Sequence, residues 1–129
     1  MNKFASTKRM MLGGVASAVM LAAASLATGA SAQETGPVKI GLIYSKQGPG
    51  ASIGQFLQRG SELAAEQAGM KALGRPIELI WLDENGPEGA QQNMQRLIDE
   101  NKVVAVVGGN YSNSALAMMS VANRAKIPL

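Results

Sequence analysis

The 129-residue chain contains no cysteine and no histidine. Without thiols it has no disulfides, no thiolate nucleophile and no iron–sulfur or zinc–thiolate site. Without imidazole it also lacks the usual general base of nucleophilic catalysis and the commonest metal ligand. Charged residues are sparse, at 16% against 47% hydrophobic, so the chain is neither a charged disordered polymer nor long enough for a large multidomain enzyme. The formal excess of +3 has one address: Lys3, Lys8 and Arg9 carry it, and from Gln33 onward acids and bases balance. A nucleic-acid partner therefore has no electrostatic footing, and no metal or cofactor is expected.

What is present begins with a basic start, the apolar run Met10 to Ala27, and Ala30-Ser31-Ala32 ahead of Gln33. That order is the three-part pattern of a secretory signal peptide over residues 1–32, cut after Ala32, where small side chains suit the peptidase. An uncleaved anchor is the alternative, but Ala, Gly and Ser dominate the run and supply little apolar area per residue. Lys8-Arg9 resembles a twin-arginine leader with its first arginine replaced. No cysteine offers a lipid attachment site, so the mature chain is expected to be exported to the periplasm, entering its fold through a flexible segment, 33–37.

From Val38 two textures alternate. Val38 to Tyr44, Ile77 to Asp83 and Val103 to Val107 are rich in β-branched and aliphatic residues and predict strands; the last has no polar alternation, as in a strand covered on both faces. Three helical patterns lie between and after them. Ile53 to Ala68 is expected to turn Ile53, Leu57, Gly60, Ala64 and Ala68 inward. Pro87 to Asn101 turns in Ala90, Met94, Leu97 and Ile98, with Pro87 in a first turn where its missing donor costs nothing. Ser114 to Ala125 turns in Ala115, Met118, Met119, Ala122 and Ala125, capped by Ser112 or Asn113. The methionines and Trp81 read as core. Ile127-Pro128-Leu129 opens like a fourth strand. The alternation predicts an α/β fold with a doubly wound parallel sheet.

In such a sheet, ligands sit beyond the carboxyl ends of the strands where the strand order reverses. Two turns qualify, Ser45 to Gly54 and Gly108 to Ser114. In the second, Gly108 and Gly109 allow close backbone approach, and Ser112, Asn113 and Ser114 open a helix with free amide donors, the composition of a carboxylate cradle or of ordinary capping. Gly48, Gly50 and Gly54 match the dinucleotide fingerprint poorly, although Asp83 stands where a ribose-binding acid would; a nicotinamide-dependent domain is the lesser alternative. Asp83 and Glu84, adjacent at a strand end, point in different directions and read as solvated loop acids.

The segments VKIGLIYSKQGPGASIGQ, LGRPIELIWLDENGPEG, VVGG with YSNSALA, and AKIPL resemble the amino-terminal part of periplasmic solute-binding proteins of the leucine/isoleucine/valine type, from Val38 to Leu129. The resemblance implies a two-lobed, non-enzymatic protein that closes over an amino acid or related small carboxylate or amide and delivers it to an ABC-type membrane permease, monomeric when full length. Residues 38–129 then form part of the first lobe. By position, Ser112 matches a carboxylate donor, Tyr111 and Asn113 its neighbours, and Ile53 a residue packed against the ligand side chain. Gln47 and Gly86 depart from common family residues, and Asn85 and Tyr111 stand where some members have a disulfide pair. An exported sensor lobe of the same fold is the alternative function.

Overall fold

The computed structural model describes residues 35–129. The expected signal peptide, with Gln33 and Glu34, lies outside the described residues. Strand β1 (Val38–Tyr44) is the centre of the sheet because, Lys39 near its start apart, its residues are apolar or small on both faces. On one side it pairs in parallel with β3 (Arg75–Asp83), Val38 facing Ile77 and Tyr44 facing Asp83. On the other it pairs in parallel with β4 (Ala105–Gly108), Ile40 facing Ala105 and Ile43 facing Gly108. The matched registers bring Tyr44, Asp83 and Gly108 to one edge, so the loops after these strands share it.

A two-residue strand β2 (Lys71–Ala72) adds an antiparallel margin to β3, making the order β2-β3-β1-β4. This hairpin was not expected from the alternation. Its turn, Leu73-Gly74, holds both residues at positive φ, 52 and 75°, the twist that a two-residue hairpin loop requires. The parallel sheet itself is as expected. The expected fourth strand at 127–129 is not formed; one bond ties the segment to β4, the Pro128 carbonyl accepting from the Val106 amide at 2.9 Å. Gly36 and Pro37 are held by the Arg75 guanidinium, which donates to their carbonyls at 2.6 and 3.3 Å.

Helices cover both faces. Helix α1 (Ala51–Gln67) lies on one; α2 (Gly86–Asp99) and α3 (Ser112–Ala125) lie on the other. The core on the α2/α3 face joins Ile43 and Val106 to Ala90, Met94, Leu97, Met118 and Val121. Gly41 belongs here because a Cβ would collide with the Leu97 side chain. Each large aliphatic side chain sealed in this way contributes about 1.5–3 kcal/mol of burial free energy.

The inward stripe of α2 is as expected, with Ala90, Met94 and Leu97 buried. Helix α1 differs. Its buried residues are Gly54 and Ala65, and Ile53, Leu57, Gly60, Ala64 and Ala68 are exposed. The cause is steric: a Cβ at position 54 would overlap the Ser45 carbonyl, so the glycine marks the closest approach of helix to strand end. Ser61 shares this face and its hydroxyl meets the Tyr44 hydroxyl at 3.1 Å. Leu57, Gly60, Ala64 and Ala68 border an open apolar cavity of about 550 Å³ over Ile40 and Leu42, so they face the sheet without being sealed against it.

Helix α3 is likewise turned from expectation, burying Ser114, Met118, Val121 and Ala122. Met119 is 48% exposed and Ala125 is exposed, so neither is core. Trp81 is half-buried, not sealed. Its indole donates to the Tyr44 carbonyl at 3.3 Å, and the Lys46 ammonium rides 4.5 Å from the ring centroid. Among the described residues no helix is long and apolar enough to cross a membrane.

Candidate functional site

The strand order reverses at β1, so the crevice lies where β1 and β4 deliver their chains outward. After β1 the chain runs through Ser45, Lys46 and Gln47 into a single 3-10 turn, Gly48–Gly50, that leads into α1. Asp83, at the end of β3, pins the start of this loop: it accepts from the Lys46 amide at 2.8 Å and the Gln47 side-chain amide at 3.4 Å. Its acceptors are therefore partly engaged, not simply solvated.

The next residue turns the other way, as strand alternation demands. Glu84 was expected to be a solvated acid, yet it is 1% exposed. One carboxylate oxygen accepts from the Asn110 amide at 2.8 Å and, in a longer contact of 3.4 Å, from the Ser45 hydroxyl; the other accepts from the Tyr111 amide at 3.1 Å. A buried carboxylate is tolerable only with such compensation, and both donating amides stand at the positive end of α3. The loops after β1, β3 and β4 thus meet on one side chain. The sequence carries one signal for it: the pair Gly108-Gly109 ahead of Asn110 has no side chains to shield the amides that follow.

The loop after β4 is drawn tight against β1. A Cβ on Gly108 would strike the Ile43 carbonyl, and the Gly109 amide donates to that same oxygen at 3.0 Å. The Asn110 side-chain amide donates to the Gly50 carbonyl at 3.2 Å, while its buried oxygen has no partner among the described residues. The Tyr111 hydroxyl lies over Gly50, 2.6 Å from where a Cβ would sit. Gly50 and the serine-bearing loop therefore stand at the same rim.

Tyr111, Ser112, Asn113 and Ile53, the candidate ligand residues, are all exposed there, Tyr111 at 45% and Ile53 at 55%. Tyr111 is the N-cap of α3, so neither Ser112 nor Asn113 caps the helix; both lie in its first turn. The Asn113 side-chain oxygen accepts from the Ser114 amide at 2.9 Å. The cradle differs from expectation in a second respect, since its inner amides, at Asn110 and Tyr111, are taken by Glu84. First-turn helix amides have no intrahelical acceptor, which leaves those of Ser112 and Asn113, with the Ser112 hydroxyl, as the outer donors.

A family model described as periplasmic binding protein matches residues 37–129. The chain belongs to this family. Among curated relatives, it is 31% identical over 112 residues to a Leu/Ile/Val-binding protein homolog 7 of Brucella abortus, covering 85% of this chain and 28% of the relative. Among solved structures, it is similar to the branched-chain amino acid transporter substrate-binding protein LivJ of Streptococcus pneumoniae in complex with isoleucine, at 30% identity and a TM-score of 0.67, covering 72% of this chain and 28% of that one. A solute-binding protein of an ABC transporter from R. palustris, in complex with benzoate, matches at 31% identity and a TM-score of 0.67, over 71% and 26% of the two chains. The periplasmic binding protein is thus of the branched-chain amino acid type, with the type I fold. It spans less than a third of the length of these relatives.

Proposed function

We propose that this chain supplies the first part of the amino-terminal lobe of an exported, two-lobed binding protein that captures a small carboxylate and hands it to an ABC-type permease. Residues 1–32 act as its cleavable leader, residues 38–129 as the lobe segment, and the site of action is the periplasm. The protein works by binding, without a catalytic step, a metal or a cofactor, and functions as a monomer. The observation that carries this reading is the shared rim: Gly50 and the Asn110–Asn113 segment are joined by the Asn110 to Gly50 hydrogen bond, and the first turn of α3 opens beside them.

The ligand's carboxylate rests on the Ser112 hydroxyl and the amides of Ser112 and Asn113, which the α3 dipole favours. Charge-assisted bonds of this kind contribute on the order of 1.5–3 kcal/mol each when formed away from water. Tyr111 and Ile53 flank the ligand's apolar body. The two bound ligands named among the structural relatives, isoleucine and benzoate, both join one carboxylate to an apolar body, which supports this ligand class. A ligand that prefers the closed, two-lobed state shifts the population toward it and so signals loading to the permease.

The test is a thermal-shift screen of the full-length mature protein against aliphatic amino acids, their amides and aromatic acids. A concentration-dependent rise in Tm with carboxylates is expected, since binding to the native state alone stabilises by mass action. No rise with any carboxylate, or an equal rise with the amides, counts against the reading.

A further inference from the structure

The ligand contacts proposed above do not include Glu84, yet it is the most deeply engaged charged residue at the rim. We propose that Glu84 is the positioning residue of this site: its carboxylate holds the main chain of Asn110 and Tyr111, and through them the first turn of α3, against the crevice. The inference rests on the reading of Ser112 as a carboxylate donor.

Glu84 follows β3 directly, and its own amide donates to the Tyr44 carbonyl at 3.1 Å, continuing the parallel ladder by one residue. The side chain therefore starts from a fixed base. At its far end both oxygens are occupied by backbone donors of one short segment, Asn110 at 2.8 Å and Tyr111 at 3.1 Å. Tyr111 is the N-cap of α3 and makes no side-chain capping bond, while its carbonyl accepts from the Ala115 amide at 3.0 Å. Fixing the Tyr111 amide thus fixes the origin of the helix whose next two amides face the ligand.

The segment needs such a tie. Gly108 and Gly109 precede it, Gly109 with φ at 93°, and glycine leaves a backbone freer than any other residue. The Asn110 side chain bonds Gly50 through its nitrogen alone, so it supplies a single tether. Glu84 supplies the two main-chain anchors, and burial strengthens them because no water competes at a carboxylate 1% exposed. The carboxylate also saturates the inner amides, so an incoming anion is left with the outer ones and takes a single seat.

The experiment uses the full-length protein, with isoleucine and benzoate as probes in calorimetry and amide hydrogen exchange as a ligand-independent readout. Glu84→Gln keeps the size but turns an NH2 toward one of the two amides. Exchange at Asn110 and Tyr111 should quicken by about tenfold or more while Met94 and Leu97 in α2 stay unchanged, and affinity for whichever probe the wild type binds should fall roughly 10- to 100-fold. Unchanged exchange at both amides, or affinity within twofold of wild type, overturns the proposal. Should Glu84→Gln fail to fold, the unliganded wild type still decides: Asn110 and Tyr111 amides exchanging at the rate of an open loop overturn it, and protected ones support it.

Ser112→Ala separates this proposal from the site reading beneath it. If that variant loses affinity and Glu84→Gln does not, the positioning role fails and the site stands. If Ser112→Ala binds as the wild type does, the site reading fails, and the exchange rates alone decide whether Glu84 holds the segment.

Discussion

The side-chain amide of Asn110 and the carbonyl of Gly50, 60 residues apart in sequence, meet at 3.2 Å. This bond closes the rim between the loop after β1 and the loop after β4, and it places the start of α3 beside the glycine-proline turn.

Ser112→Ala, in the full-length protein, should weaken carboxylate binding by about 1–3 kcal/mol and leave the Tm of the unliganded form nearly unchanged, because Ser112 is exposed and caps nothing. Titration calorimetry on the two forms gives the first quantity and a thermal melt the second. Equal affinities would remove Ser112 from the site.

Gly54→Ala should destabilise the fold by about 1–3 kcal/mol or more, since the added methyl overlaps the main-chain carbonyl of Ser45 and neither backbone can yield freely. Gly60→Ala, on the same helix with open space around it, should be neutral or mildly stabilising. Urea unfolding of the pair checks the contrast, and similar midpoints for both would contradict the close approach.

Leu97→Ala opens a cavity between α2 and the β1–β4 face, where Leu97 is fully buried against the core, and should cost about 2–5 kcal/mol. Met119→Ala, on the exposed side of α3, should cost less than about 0.5 kcal/mol. Comparable losses would mean that α3 is rotated from the packing described.

Lys46→Met removes the cation from the face of Trp81 and a bond of 2.9 Å to the Trp81 carbonyl. A stability loss of about 0.5–1 kcal/mol is expected at this partly solvated position. Trp81 is the single tryptophan of these 129 residues, and its emission, read as the difference from a Trp81→Phe control, should shift in parallel. An unchanged spectrum would argue that the ammonium does not rest on the indole.

The parallel sheet and the stripe of α2 were legible because both follow from the apolar pattern: VKIGLIY and VVAVV are strand-forming runs, and Ala90, Met94 and Leu97 recur on one helical face, although the second run is not covered on both faces as expected, Val104 and Val107 being 45% and 48% exposed. In helix α1 the expected residues Leu57, Gly60, Ala64 and Ala68 do border the space over the sheet but are not sealed, and the close contact falls instead at Gly54, where a steric limit that only glycine meets decides the approach. Met119 misled for a related reason, its neighbour Met118 being the one that points to the sheet. The rim at Gly50 and Tyr111 could be placed from topology. Glu84 could not, because an acid after a strand is ordinarily solvated, and its two acceptors become buried only when a loop 26 residues later folds over it. Long-range satisfaction of one polar group leaves no periodic trace.

Three loops that share a single acceptor cannot drift independently. Displacing one would break the charge-assisted bonds made by another, at a cost of about 1.5–3 kcal/mol each. The rim stitched by Glu84 is therefore built to move as one piece, a shift of any of these loops pulling on the others through the same carboxylate.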